Sequence, residues 1–375
     1  MISLSDDHVR LLRLRAQRLA PPSRNTAASV ARIVKEVCGI QAQDASAASL
    51  AVRVRSSGLV AADVELARVQ ERAIIRTWGL RGTLHLLATE DLGWLLPLLG
   101  PVFVAGDRRR REELGLDEDT CMRGISILRS ILANAGPLTR AELVEQLGAH
   151  GIHLEGQARP HFLYRAALEG VICCGPDQGT EPTYVLLSDW IDRGRTGPSL
   201  SEVAAYGELT RRYLDAYGPA TSQDQAAWSG LPLSKIRPAW QHMADQLLEV
   251  AVAGVPAWML KERAAELDQL AAQTPIVRLL PRFDIYLLGY QKRDLAVPPQ
   301  HAKRINAGGG MIHPTVMVDG RIIGTWKSAR KRGQLDVVVE PFDPQVYSGL
   351  DAEISDLARF LEMPCTLHVV TPPLV

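Results

Sequence analysis

The chain has little cysteine: Cys38, Cys121, Cys173, Cys174 and Cys365 are the only five in 375 residues. The number is odd, the spacing is wide and no Cys-x-x-Cys pair occurs. That excludes a disulfide framework and a zinc site, and fits a reduced compartment. An excess of charge is missing too. Basic and acidic residues number 42 each, so the formal net charge is zero. No whole-chain field announces a nucleic-acid partner, although local patches still can. There is also no long hydrophobic run. The longest, Leu92 to Gly106, contains Pro97 and Pro101 and falls short of the roughly 20 residues that span a bilayer. The opening "MISLSDDHVRLLRLR" is too charged for a secretory signal. A cytoplasmic protein without membrane association is therefore expected. Catalytic signatures are equally sparse. "GGG" at 308–310 lacks the Gly-Lys-Ser/Thr that completes a phosphate loop, and reads instead as a mobile entry to a hairpin. Ser, His and Asp form no nucleophile-elbow pattern, and the tryptophans are scattered along the chain. No cofactor and no metal are expected.

What is present is a repeated plan. "ANAGPLTRAELVEQLG" (133–148) and "DAYGPATSQDQAAWSG" (215–230) each break at Gly-Pro and then start a helix with a capping box: Thr139 with Glu142, and Ser222 with Gln225. Each leads to another helix and then to two short strand-like runs. Helix, turn, helix, hairpin is the winged-helix plan. The N-terminal segment follows it as well. Ser5 and Thr26 are placed to cap two helices, a third is expected from about Ser46 to Ser57, and "RAIIRTWGLRGTLHLLA" (72–88) reads as two strands around a turn. From residue 275 onward the signals change to strands: "IVRLLP", "IYLLGY", "TVMVDGRIIGTW", "LDVVVE" and "CTLHVV", with Asp319-Gly320 as a type I′ hairpin turn. The expected fold class is α+β: three tandem winged-helix units, at 1–90, 120–192 and 200–262, a connector at 91–119, and a β-rich, barrel-like domain at 275–375.

Two features bear on function. "CGIQAQDAS" (38–46) places Gln41 and Gln43 around one alanine in a short turn, where glutamine has no special turn chemistry. A polar turn that merely contains glutamines is the plain alternative. Between His301 and Gly333 stand Lys303, Arg304, Arg321, Lys327, Arg330, Lys331 and Arg332 against one acid, Asp319. A solvated face could carry such charge, but the imbalance favours contact with phosphates. "RRRR" at 108–111 is weaker evidence, because Glu112 and Glu113 can absorb it by i,i+4 pairing.

With "IQAQD" after the second helix, "RTWGLRGTLHLL" in the first wing and "HPTVMVDGRIIGTW" in the C-terminal domain, essentially the whole chain resembles the AlkZ/YcaQ-like winged-helix DNA glycosylases. The resemblance implies a catalytic Gln-x-Gln element at Gln41 and Gln43. The expected DNA contacts are Ser49, Arg53, Arg81, His313, Arg321 and Lys327. It implies a monofunctional glycosylase that acts as a monomer, in the nucleoid, on double-stranded DNA containing alkylated guanine. That substrate extends to bulky antibiotic adducts or crosslinks, in repair or self-resistance. The chemistry is consistent. An N7-alkylated guanine is already cationic and leaves without a proton, so the enzyme has only to hold water at C1′ and face the developing positive charge. Amides do both without a useful pKa. Asp44 lies one residue beyond the pair, where a side chain points elsewhere. The alternative reading is a non-catalytic winged-helix binder or regulator. It lacks the long heptad run a dimerisation helix would show.

Overall fold

The computed structural model describes residues 2–21, 23–268, 274–306, 308, 310–343 and 348–370. It is an α+β structure that separates into two compact units. One joins Met1–Glu65 to Gly207–Val375; the other is Leu66–Tyr206.

In the first unit three N-terminal helices each start on a polar cap. Ser5 caps Asp6–Ala16, Ser29 caps Val30–Glu36 and Asp44 caps Ala45–Arg53. Thr26 is not the second cap, because the helix begins later, where the Ser29 hydroxyl accepts from Arg32 N at 3.2 Å. The third helix ends at Arg53, well short of Ser57. Further along, the capping box falls one residue earlier than Ser222 and Gln225. Thr221 and Asp224 exchange the reciprocal bonds, at 3.1 and 3.0 Å, a capping box with Asp in place of the usual Glu or Gln. Gln225 turns inward instead and bonds Thr210 and Trp240 in the core. A hairpin, Leu247–Val252 with Val255–Leu260, closes this segment, and Ile2–Leu4 adds to it in parallel.

The C-terminal strands form one sheet in the order Val277–Leu280, Thr315–Val318, Arg321–Lys331, Gln334–Pro341, Cys365–Val369. All pairings are antiparallel except the last. The sheet stays open and no closed barrel forms among the described residues. The reason lies in how its two faces are covered. Leu279, Val316, Trp326, Val337 and Val339 pack against Ile354 and Leu357 of the helix Leu350–Leu361. Leu280, Met317 and Ile322 alternate to the other side and meet Leu11, Leu14 and Val54 from the N-terminal helices. With both faces buried, closure gains no further apolar burial. "IYLLGY" is no strand but a 3₁₀ turn, Ile285–Leu287, capped by Asp284. Asp319 (φ +49) and Gly320 (φ +80) make the expected turn. Of the "GGG" run, Gly309 lies outside the described residues; Gly308 and Gly310 both have positive φ.

The second unit begins from the antiparallel pair Ile74–Trp78 and Leu84–Ala88 and continues through Ile172–Gln178 and Glu181–Leu186 to the short strand Leu138–Thr139. Helices Glu118–Ala135, Arg140–Ala149 and Ala158–Leu168 pack over a core of Leu128, Leu143, Leu147, Phe162 and Leu163. Thr139 and Glu142 form the expected capping box. The expected connector is largely helical, as Leu92–Gly106 and Arg108–Glu113. Its arginines are absorbed locally, Arg108 by Glu112 at 2.8 Å and Arg109 by Glu113 at 3.1 Å.

Candidate functional site

The glutamine turn is built from the end of the helix Val30–Glu36. Gly39 N donates to Val34 O at 2.9 Å and Cys38 N to Lys35 O at 3.0 Å, the crossed bonds that satisfy the last carbonyls of a helix and turn the chain back. Cys38 (φ +53) and Gly39 (φ +100) are both left-handed. A non-glycine residue there costs about 1–2 kcal/mol, so the surroundings must fix the turn. They do. Cys38 is buried, and the fully buried Tyr217 donates its hydroxyl to Val37 O at 3.0 Å. Burial holds that phenol well above its ordinary pKa, so it remains a donor. The chain then extends through Ile40–Gln41. Gln41 and Ala42 are buried, whereas Gln43 is exposed. Asp44 follows with one carboxylate oxygen on Ala47 N at 3.0 Å, at the start of the helix Ala45–Arg53. Its other oxygen stands 4.0 Å from Arg282.

Directly beside this turn is a cavity of about 650 Å³. Asp44, Ser46, Ala47 and Leu50 form one wall; Arg282, Arg304, His313, Thr325, Trp326, Lys327 and Glu340 form the rest. The C-terminal sheet and the N-terminal helices thus supply opposite walls. The loop that carries Arg282 is strained and locked. Phe283 is left-handed (φ +59). The next residue, Asp284, accepts both Arg55 guanidinium donors, at 2.8 and 2.7 Å. Neither of these two side chains reaches solvent.

His313 and Lys327 therefore line one cavity with Asp44 and Ser46. Lys327 is paired to Glu340 at 2.6 Å. Arg321 is exposed, but it begins the eleven-residue strand Arg321–Lys331, which puts it about 30 Å from the far end of that strand. Its turn does not project. Tyr286 donates its hydroxyl to Gly320 O at 2.6 Å, and Asp319 accepts Ile276 N at 2.8 Å. The projecting feature is the next turn, at Arg332 (φ +48) and Gly333 (φ +82). Residues 327–333 there are all exposed. This turn closes the pairing of 321–331 with 334–341, with Lys331 opposite Gln334. Ser49 is half-buried on the helix Ala45–Arg53. Arg53 does not reach a DNA-facing surface. It is 1% exposed and bonds Glu353 at 3.1 Å, Asp356 at 3.0 Å and Leu279 O at 3.0 Å. Its place on the helix points it at the carboxylates of Leu350–Leu361, and an arginine held there is a core ion pair.

In the second unit Arg81 is half-buried in the turn of the hairpin, with φ +54. Its charge, after burial, helps to hold the enclosed His85 at a pKa of about 3, against the pull of a 2.9 Å contact with Thr83 O. His85 is thus neutral at any physiological pH. Among the described residues no cluster of His, Cys, Asp and Glu is arranged to hold a metal ion, and no helix is long and apolar enough to cross a membrane.

A family model described as DNA glycosylase AlkZ-like matches residues 34–360. The chain belongs to that family and is a DNA-repair enzyme that hydrolyses the N-glycosidic bond. Its particular likeness is to the interstrand DNA cross-link repair glycosylase of Streptomyces sahachiroi, at 33% identity over 349 residues and 88% of each protein. The solved structure of Streptomyces sahachiroi DNA glycosylase AlkZ superposes with a TM-score of 0.84 at 29% identity, over 98% of this chain and 100% of that one.

Proposed function

We propose that this glycosylase excises guanine alkylated at N7 from double-stranded DNA, with Gln41 and Gln43 as the catalytic amides. The observation that carries the reading is the commitment of Asp44. Its carboxylate caps the helix Ala45–Arg53 and faces Arg282. The turn therefore offers two amides, while its one acid is held in the helix cap by one oxygen and faces a guanidinium with the other. An amide oxygen can accept from a water at C1′ and face an oxocarbenium-like sugar, while the cationic base leaves unaided. Gln43 is the solvent-facing member and the better placed to meet water; Gln41, buried behind it, suits orientation of the sugar.

The walls of the cavity stand apart and open to solvent, which favours bulky adducts. The relative's activity on interstrand crosslinks supports extension of the substrate to crosslinked guanine. The helix–helix–hairpin successions at 118–186 and 202–260, with the N-terminal helices, support the finer reading of three winged-helix units. The glutamines and the cavity's cations come from one chain, so the proposed site needs no residue from a second copy. The deciding experiment is a single-turnover panel of duplexes with one lesion each. N7-methylguanine is released by the wild type and by Asp44→Asn, whereas uracil and hypoxanthine stay. Efficient uracil release, or an inactive but folded Asp44→Asn, refutes the proposal.

A further inference from the structure

The charges around the cavity do not cancel evenly. Lys327 is closed on Glu340 at 2.6 Å. Asp44 spends one oxygen on Ala47 N, and its other lies 4.0 Å from Arg282, beyond hydrogen-bond reach. Arg304 has no ion pair among the described residues. Its guanidinium carbon lies 4.7 Å over the Phe342 ring, a cation–π contact that uses none of its N–H donors. Two guanidiniums thus line one cavity with donors to spare.

We infer that Arg282 and Arg304 form a clamp for a single backbone phosphate of the damaged strand, the one flanking the nucleotide to be excised. The inference rests on the proposed reading only for the position of that nucleotide beside Gln43. The sugar under attack is flanked by phosphates, so a wall that adjoins the glutamine turn meets a phosphate first. A planar fork matches a phosphate's paired oxygens. The floor beneath, Ala47, Leu50 and Trp326, is apolar and strengthens charged hydrogen bonds made above it. The strained Phe283, locked by the buried Arg55–Asp284 pair, keeps Arg282 aimed into the cavity. Strain persists where the surroundings over-determine it, and such places cluster at ligand clamps. The clamp holds the sugar still while the amides position water. Lys327, already paired, contributes general attraction only.

The test is binding, read by fluorescence anisotropy, to duplexes whose N7-methylguanine is kept intact by a 2′-fluoro sugar. A neutral methylphosphonate is walked one position at a time along the lesion strand. Wild type loses about tenfold to a hundredfold at one position within two nucleotides of the lesion, the loss of one charge-assisted contact. In Arg304→Gln and in Arg282→Gln that loss shrinks, and in the double variant it disappears, while the other positions cost what they cost in wild type. Arg304→Lys keeps the salt slope of binding but only part of the position-specific effect. Circular dichroism confirms folding of each variant. The inference is overturned if the cost at every position is the same in the double arginine variant as in wild type, or if the position affected lies beyond two nucleotides from the lesion. Because binding is read without excision, failure to release N7-methylguanine from ordinary duplex removes the substrate assignment and leaves the coupling between phosphate and arginine intact.

Discussion

Replacing Arg53 with Met separates a structural arginine from a DNA-binding one. The substitution keeps the aliphatic bulk and deletes three short contacts: Glu353 at 3.1 Å, Asp356 at 3.0 Å and Leu279 O at 3.0 Å. Removing one partner of a buried ion pair typically costs about 3–5 kcal/mol. Here the abandoned carboxylates keep other partners. Glu353 retains Arg278 at 3.2 Å and Leu279 N at 3.0 Å; Asp356 retains Arg24 at 3.1 Å and Arg359 at 2.8 Å. The expected loss therefore sits at the low end, about 3 kcal/mol, which lowers the melting temperature by roughly 6–12 °C in a unit of this size. The assay has two arms. Thermal melting followed by circular dichroism reads the stability. Duplex binding against salt concentration, well below the lowered melting temperature, reads phosphate contacts. Arg53→Met shifts the first and leaves the second slope unchanged. An unaltered melting temperature with a salt slope reduced by about one, the signature of one lost phosphate contact, would mean that Arg53 faces DNA and that the ion-pair argument is wrong.

Gln43→Ala is expected to slow single-turnover excision about tenfold to a thousandfold with little change in duplex affinity; equal rates in Gln43→Ala, Gln41→Ala and wild type refute the catalytic role. Substituting Arg330, Lys331 and Arg332 together with Gln lowers the salt slope of binding by about two to three while the same change at Arg108–Arg110, whose charges are locally paired, leaves it nearly flat. Asp284→Asn unbalances the buried Arg55 pair and costs about 3–5 kcal/mol, measured by denaturant unfolding; the double variant Arg55→Met with Asp284→Leu recovers most of it. His85, held at a pKa of about 3, resists protonation when folded but accepts a proton near 6.5 when unfolded. Stability therefore falls as pH drops from about 7 toward 3, by about 2 kcal/mol at pH 5 from this group. His85→Gln removes that share of the pH dependence, and a melting curve equally pH-dependent in both proteins contradicts it.

Local chemistry was legible from residues alone. Ser5, Thr139 with Glu142, and Asp319-Gly320 each appear in the structure as caps or turns, because such signals depend on atoms within four residues of one another. Misreadings were local too. Thr26 yielded to Ser29 and Ser222 to Thr221, since hydroxyls within a few residues of one another offer the same cap and the helix starts at only one of them. The Gln-x-Gln turn stood out in the sequence because glutamine has no special turn chemistry.

Everything that required knowing which side of an element faces what was decided by tertiary packing. Arg53 and Arg321 look alike as basic residues, yet one is sealed against Glu353 and Asp356 and the other is exposed. The sheet stayed open because the helix Leu350–Leu361 and the N-terminal helices cover its two faces, and no strand run encodes what will cover it. The cavity beside Gln43 draws Asp44 from the N-terminal turn and Arg282, Arg304 and Lys327 from more than two hundred residues later. Sequence by itself determined the family, the caps at Ser5 and Thr139, the Asp319-Gly320 turn and the presence of the amide pair, all properties of short segments. Which cations line the cavity with Asp44, and which are neutralised, depends on long-range packing and on carboxylates contributed by distant helices and strands.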